Sequence, residues 1–132
     1  MPHYILDKAY KITDSGGVGA SLVVVQGTNA GECTLPGAEN AGAILGVTVH
    51  GQPLQNQNVS VRKAGVAGVV AAGAISVGDP VNIAGASGKV QTITVDASGK
   101  ANCLGFAETA ASADGDIIEV FISLHERNVA TS

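Results

Sequence analysis

From Gly65 to Val90 the chain reads GVAGVVAAGAISVGDPVNIAGASGKV, and no other stretch limits the fold as strongly. Glycines at 65, 68 and 73, the Gly78-Asp79-Pro80 turn and the turn at Ala86 to Lys89 separate short β-branched runs. That punctuation predicts short strands in a tight all-β body. Ile75-Ser76-Val77 and Val81-Asn82-Ile83 alternate as half-buried strands do. Pro80 fixes φ and has no N–H to donate, so it suits a turn or the start of a strand. The stretch governs folding and carries no reactive constellation.

The 132 residues fit one domain with a modest core. There is no Trp, and only two Phe and two Tyr occur, so Val, Ile, Leu and Ala must build that core. Thin β-layers or a small barrel suit such side chains. Only 14% of the residues are charged, against a usual quarter, which fits a surface partly hidden against a partner. A net charge of −4, with Arg62-Lys63 the one adjacent basic pair, argues against nucleic acid. Met1 to Tyr4 opens without the basic and apolar regions of a signal peptide. No apolar run approaches the ~20 residues that span a bilayer. Cys33 and Cys103 match no metal spacing and read as reduced, small apolar residues.

Residues 1–19 stand apart as an arm with a flexible link, 20–124 as the β-rich domain, and 125–132 as a loose tail. His3 to Ile12 is the most aromatic and charged segment, and it runs into Ser15-Gly16-Gly17. Two readings fit it: a strand of its own domain, or an arm whose Tyr4, Leu6, Tyr10 and Ile12 anchor on a neighbouring chain. Strands are expected at 21–26, 44–50, 59–63, 90–95, 101–108 and 117–124. The loop at Gly51 to Asn58 is too polar to pack. Two halves resemble one another. Leu45-Gly46-Val47 recurs as Leu104-Gly105-Phe106, and Val59-Ser60-Val61 as Ile118-Glu119-Val120, fourteen residues separating Leu from strand each time. Related hairpins with wide loops would follow.

No motif for catalysis survives inspection. Gly85-Ala-Ser-Gly88-Lys89-Val90 resembles the end of a phosphate loop. Its glycines are too close, however, and Val90 replaces the Ser or Thr that would hold magnesium. His3, His50 and His125 are isolated, without metal-ligand spacing. No G-x-S-x-G elbow occurs. Asp114 and Asp116 bracket Gly115 and read as turn residues, since paired acid–base carboxylates need a cleft that separates their pKa values. No catalytic residue, metal ligand or cofactor is expected.

The order of these motifs resembles the phage head decoration, or capsid cement, family. It runs from Ile44-Leu45-Gly46-Val47 through Val59-Ser60-Val61, Gly65, Val69-Val70-Ala71, Ile75 to Val81 and Gly88-Lys89-Val90. It closes with Leu104-Gly105-Phe106-Ala107 and Gly115 to Val120. The resemblance covers roughly residues 20 to 124. It implies an all-β, small single-domain barrel or sandwich, β-tulip-like, with an extended N-terminal arm. It implies a non-enzymatic virion protein, made in the host cytoplasm, on the outer face of the capsid. Its partners would be the major capsid protein and its own copies, in a trimer rather than a dimer, with neither nucleic acid nor membrane. A second resemblance, to a lipoyl or biotinyl carrier domain, would make Lys63 the modified lysine. There, however, Lys63 lies too close to Gly68, and no acidic residue or Met precedes it.

Overall fold

The computed structural model describes residues 5–93 and 99–128. Tyr4, the tip of the turn expected at Asp96 to Lys100 and the end of the tail, 129–132, lie outside the described residues. Ten strands follow in order: β1 (Leu6–Ile12), β2 (Val23–Gln26), β3 (Glu32–Thr34), β4 (Ile44–Thr48), β5 (Asn58–Ala64), β6 (Val66–Val70), β7 (Pro80–Ile83), β8 (Val90–Thr92), β9 (Lys100–Ala107) and β10 (Ile117–Asn128). No helix occurs among the described residues.

The first five strands close a barrel in the order β1-β3-β2-β4-β5, with β1 and β3 parallel and β1 returning to β5. The last five form a sheet in the order β6-β10-β9-β7-β8. The two units are one plan used twice, with an offset of fifty-nine residues for β1, β4 and β5 and fifty-seven for β2 and β3. Tyr10↔Val59 becomes Val69↔Ile118, and Thr48↔Val61 becomes Ala107↔Val120. Val24↔Gly46 becomes Val81↔Gly105, each followed by a bulge. The parallel pair Ile12↔Cys33 becomes the bridge Ala71↔Val90, and the bridge Val18↔Gln52 becomes Ile75↔Ala111. The repeat seen in the sequence as two hairpins therefore extends over the whole of each unit.

One difference decides why only the first unit closes fully. There the N–H of Lys11 donates to the carbonyl of Gly31 at 2.9 Å. The equivalent groups of the second unit, on Val70 and Gly88, bond instead to Ser21 O (2.9 Å) and Val23 N (2.8 Å). The start of β2 is thus wedged between β6 and β8, joining the units through main-chain bonds. Pro80 stands where Val23 stands in the first unit and has no N–H to repeat the insertion.

Each unit is filled by equivalent side chains. Tyr10, Ile12, Val18, Val24, Cys33, Leu45, Val59 and Val61 fill the first; Val69, Ala71, Ile75, Val81, Val90, Leu104, Ile118 and Val120 fill the second. Period-two alternation explains the selection, because Val23 and Val25 point away from Val24 and join the core of the second unit. The loop after β3 is pinned across the joint by Asn40. Its Oδ1 accepts from Asn102 N (2.8 Å) and Asn82 Nδ2 (3.2 Å), which explains a buried Asn at 82 in an otherwise apolar strand.

Several expectations need correction. Leu6–Ile12 is a strand of the chain's own barrel and not a free arm, because Tyr10 and Ile12 are the interior plugs of that barrel. Ile75 to Val77 forms no strand: only Ile75 is bridged, and Val77 stays 66% exposed. The tail is strand rather than loose as far as Asn128, with His125 to Asn128 paired to Cys103 to Lys100. The loop at 51–58 stays exposed apart from the half-buried Gln52, as its polarity implies, and is tethered by the paired main-chain bonds of Gln52 with Val18 and the Gln55 Nε2 bond to Thr13 O.

Candidate interaction surface

The residues expected to anchor on a neighbour do not act together. Tyr10 and Ile12 are 4% and 0% exposed, whereas Leu6 is 57% exposed at the start of β1 beside Ile5. Lys63, the lysine of the carrier reading, lies within β5 with its Nζ on Tyr10 Oη at 2.5 Å and 5.0 Å from the ring centroid. It is therefore a half-buried strand residue rather than a lysine presented at a turn.

What stands out is the outer face of the second unit. Ile118, Val120 and Ile122 of β10 point inward, so Ile117, Glu119 and Phe121 point out. Beside them on β6 lie Val70, Gly68 and Val66, in register with those three, and across β9 Phe106 faces Phe121. Ile117 is 65% and Phe121 47% exposed, and the Phe106 ring stacks on His125 at 5.9 Å. The same positions of the first unit carry Asp7, Ala9, Lys11, Asn58, Ser60 and Arg62. There the face is polar, laced by the Arg62–Asp7 pair at 2.9 Å and the Lys11–Glu32 pair at 3.6 Å. The architecture thus tolerates a solvated face at these positions. The second unit carries apolar side chains at the same positions, and contiguous exposed apolar patches are a common mark of contact surfaces.

Charge is divided in the same way. Asp7, Asp14, Glu32 and Glu39 balance Lys8, Lys11, Arg62 and Lys63, so the whole net charge of −4 lies beyond Gly65. Glu119, in the middle of the apolar face, has no side-chain partner among the described residues, nor has the exposed Glu108.

Asp116, Asp114 and the two cysteines serve the fold. Asp116 accepts from Ser112 N, Ser112 Oγ and Ala113 N, and these bonds hold its carboxyl below the usual range. Asp114 pairs with Lys89 at 2.9 Å. Burial, aided by Asp14, pushes the Cys33 thiol up to about 11, and burial raises Cys103 as well. Both cysteines are free and buried. No group of three or more metal-ligating side chains occurs among the described residues. A cavity of ≈ 240 Å³ beside Ile44, Asn102, Leu124 and His125 adjoins the Asn40 contacts.

The described residues thus form a double β-body with an apolar outer face on its second unit. The chain belongs to the phage cement protein family, whose model matches residues 7–122. Among solved structures it is similar to the N base of the head fiber gp8.5 of bacteriophage phi29. That likeness has a TM-score of 0.63 at 18% identity and covers 98% of this chain and 100% of that one. Comparison with curated proteins gives no match.

Proposed function

We propose that the protein binds the outer surface of an assembled phage capsid and stabilises it by bridging neighbouring major capsid protein subunits. It does so as a homo-oligomer, a trimer rather than a dimer, without catalysis or a cofactor. The observation that carries this reading is the cement-family match across residues 7–122. The apolar outer face at Ile117 and Phe121, which the first unit lacks at equivalent positions, supports it. Stabilisation follows from mass action. A protein that binds the assembled lattice and not its separated subunits stabilises the lattice by RT ln(1 + [L]/Kd) at each site. Repeated over many symmetry-related sites, a modest gain per site becomes a large one for the shell.

The test is to incubate shells of the cognate capsid protein with the purified protein. Negative-stain images and pelleted mass report uptake, and the temperature of shell disruption reports the effect. Uptake at a fixed ratio to capsid protein, together with a raised disruption temperature, is expected. Shells that never take up the protein would sink the reading.

A further inference from the structure

We infer that the apolar face of β6, β10 and β9 is covered by the start of β1 from a second copy of this chain, in a head-to-tail contact. The inference rests on the homo-oligomeric part of the proposed function and names the surfaces that make it. The first argument is the comparison of the two units. At matched register, Val66, Val70, Ile117 and Phe121 replace Asp7, Lys11, Asn58 and Arg62, while the interiors of both units stay apolar. Folding is thus satisfied by either face, and the apolar one is left for a partner.

The second argument is charge. Glu119 sits between Ile117 and Phe121 with no side-chain partner among the described residues, and the net charge of the chain lies wholly in this half. The covering surface must therefore bring apolar side chains together with a cation. The chain carries such a surface itself. Ile5 and Leu6 are 51% and 57% exposed, and Lys8 beside them is exposed with its Nζ 5.2 Å from the Tyr10 ring. On the side of β1 away from β5, β3 pairs only with Lys11 and Ile12, so the strand start is accessible from that side. Two β10 faces packed on each other would bring together the two halves that carry all of the net negative charge. The complementary arrangement sets Lys8 of one copy against Glu119 of the next, with Leu6 against Phe121. Such a contact is heterologous, and copies joined by it close into a ring or continue as a filament.

Mixing two variants tests this. Phe121→Asp spoils one surface and Leu6→Asp the other, and both side chains are exposed enough that circular dichroism and melting should stay near wild type. Sedimentation equilibrium should show each variant alone as a monomer at concentrations where wild type associates. An equimolar mixture should form a one-to-one heterodimer through the single intact contact. Glu119→Lys and Lys8→Glu should each weaken association several-fold, and the double variant should recover it. Leu6→Asp that associates like wild type, a mixture that stays monomeric, or a wild type monomeric at every concentration would each overturn the inference. Shell uptake by Phe121→Asp, measured in parallel, keeps the two readings apart. A variant that loses uptake while still self-associating assigns the face to the capsid protein and overturns this inference alone. Retained uptake by a monomeric variant leaves capsid binding intact.

Discussion

Replacing Gly105 by Ala tests the doubled plan at its tightest point. A Cβ at 105 would lie 1.9 Å from the carbonyl oxygen of Phe121 and 2.9 Å from its carbon, both main-chain atoms of the neighbouring strand. Close carbon–oxygen contacts between strands settle near 3.3 Å, so β10 would have to retreat by about 1.4 Å. Such a shift breaks the bond from Glu108 N to Glu119 O at 2.7 Å, on the β9 side of β10, and drives Ile122 N and Gly65 O, bonded at 2.9 Å on the opposite edge, well inside contact distance. Two disrupted backbone bonds cost about 0.5–1.5 kcal/mol each, and the residual strain about 1–3 kcal/mol, giving roughly 2–6 kcal/mol. For a chain of this size each kcal/mol lowers Tm by about 3–5 °C, so Gly105→Ala should melt at least about 6 °C below wild type. Gly46→Ala meets Arg62 O at 2.1 Å from a backbone at φ 154° and should behave alike. Gly37, with nothing within 4 Å of its Cβ, is the control and should tolerate Ala. Differential scanning calorimetry reads all three. A Gly105→Ala variant melting within 2 °C of Gly37→Ala, on the order of measurement error, would refute the reasoning.

Deleting residues 1–12 should lower the melting temperature sharply, because it removes Tyr10 and Ile12 from the first barrel, burial worth about 1.5–3 kcal/mol each. A free arm would leave the melting temperature unchanged, so calorimetry of the truncated chain decides between them. Neither Cys33 nor Cys103 should react with a chromogenic disulfide reagent in the native protein at about pH 8, since both thiols are buried with raised pKa values. Both should react at once in concentrated guanidinium chloride, and rapid native reaction would contradict the burial. Asp116 holds its turn only while ionised. Its lowered pKa means this contribution is full above the ordinary 3.8 and is lost as pH falls through the lower native value. Protection of the Ser112 and Ala113 amides, relative to their intrinsic exchange rates, should therefore fall in that acid range, and Asp116→Asn should show the lower protection already at neutral pH.

The sequence by itself determined the all-β class, most strand positions and the existence of a repeat. Glycine punctuation and β-branched runs act over a few residues, where local sterics decide. The Leu-Gly-Val and Leu-Gly-Phe matches were legible for a physical reason, since both glycines face a carbonyl 1.9–2.1 Å from any Cβ. The order of those motifs also carried the family resemblance, which the match over residues 7–122 bears out. Burial was beyond its reach. Tyr10 and Ile12 look like anchors in a charged segment, and only closure of β1 onto β5 and β3 turns them inward. β3 is only three residues long, too short to show a pattern, and its parallel pairing with β1 is not local, while the strand character of His125 to Asn128 comes wholly from β9. The candidate face was illegible for the same reason. Val66, Val70, Phe106, Ile117 and Phe121 read as core in a linear pattern, and only the twofold use of one register shows them outside a core already filled. Alternation along a strand separates two faces, but which of them meets water is decided by what the rest of the chain packs against it.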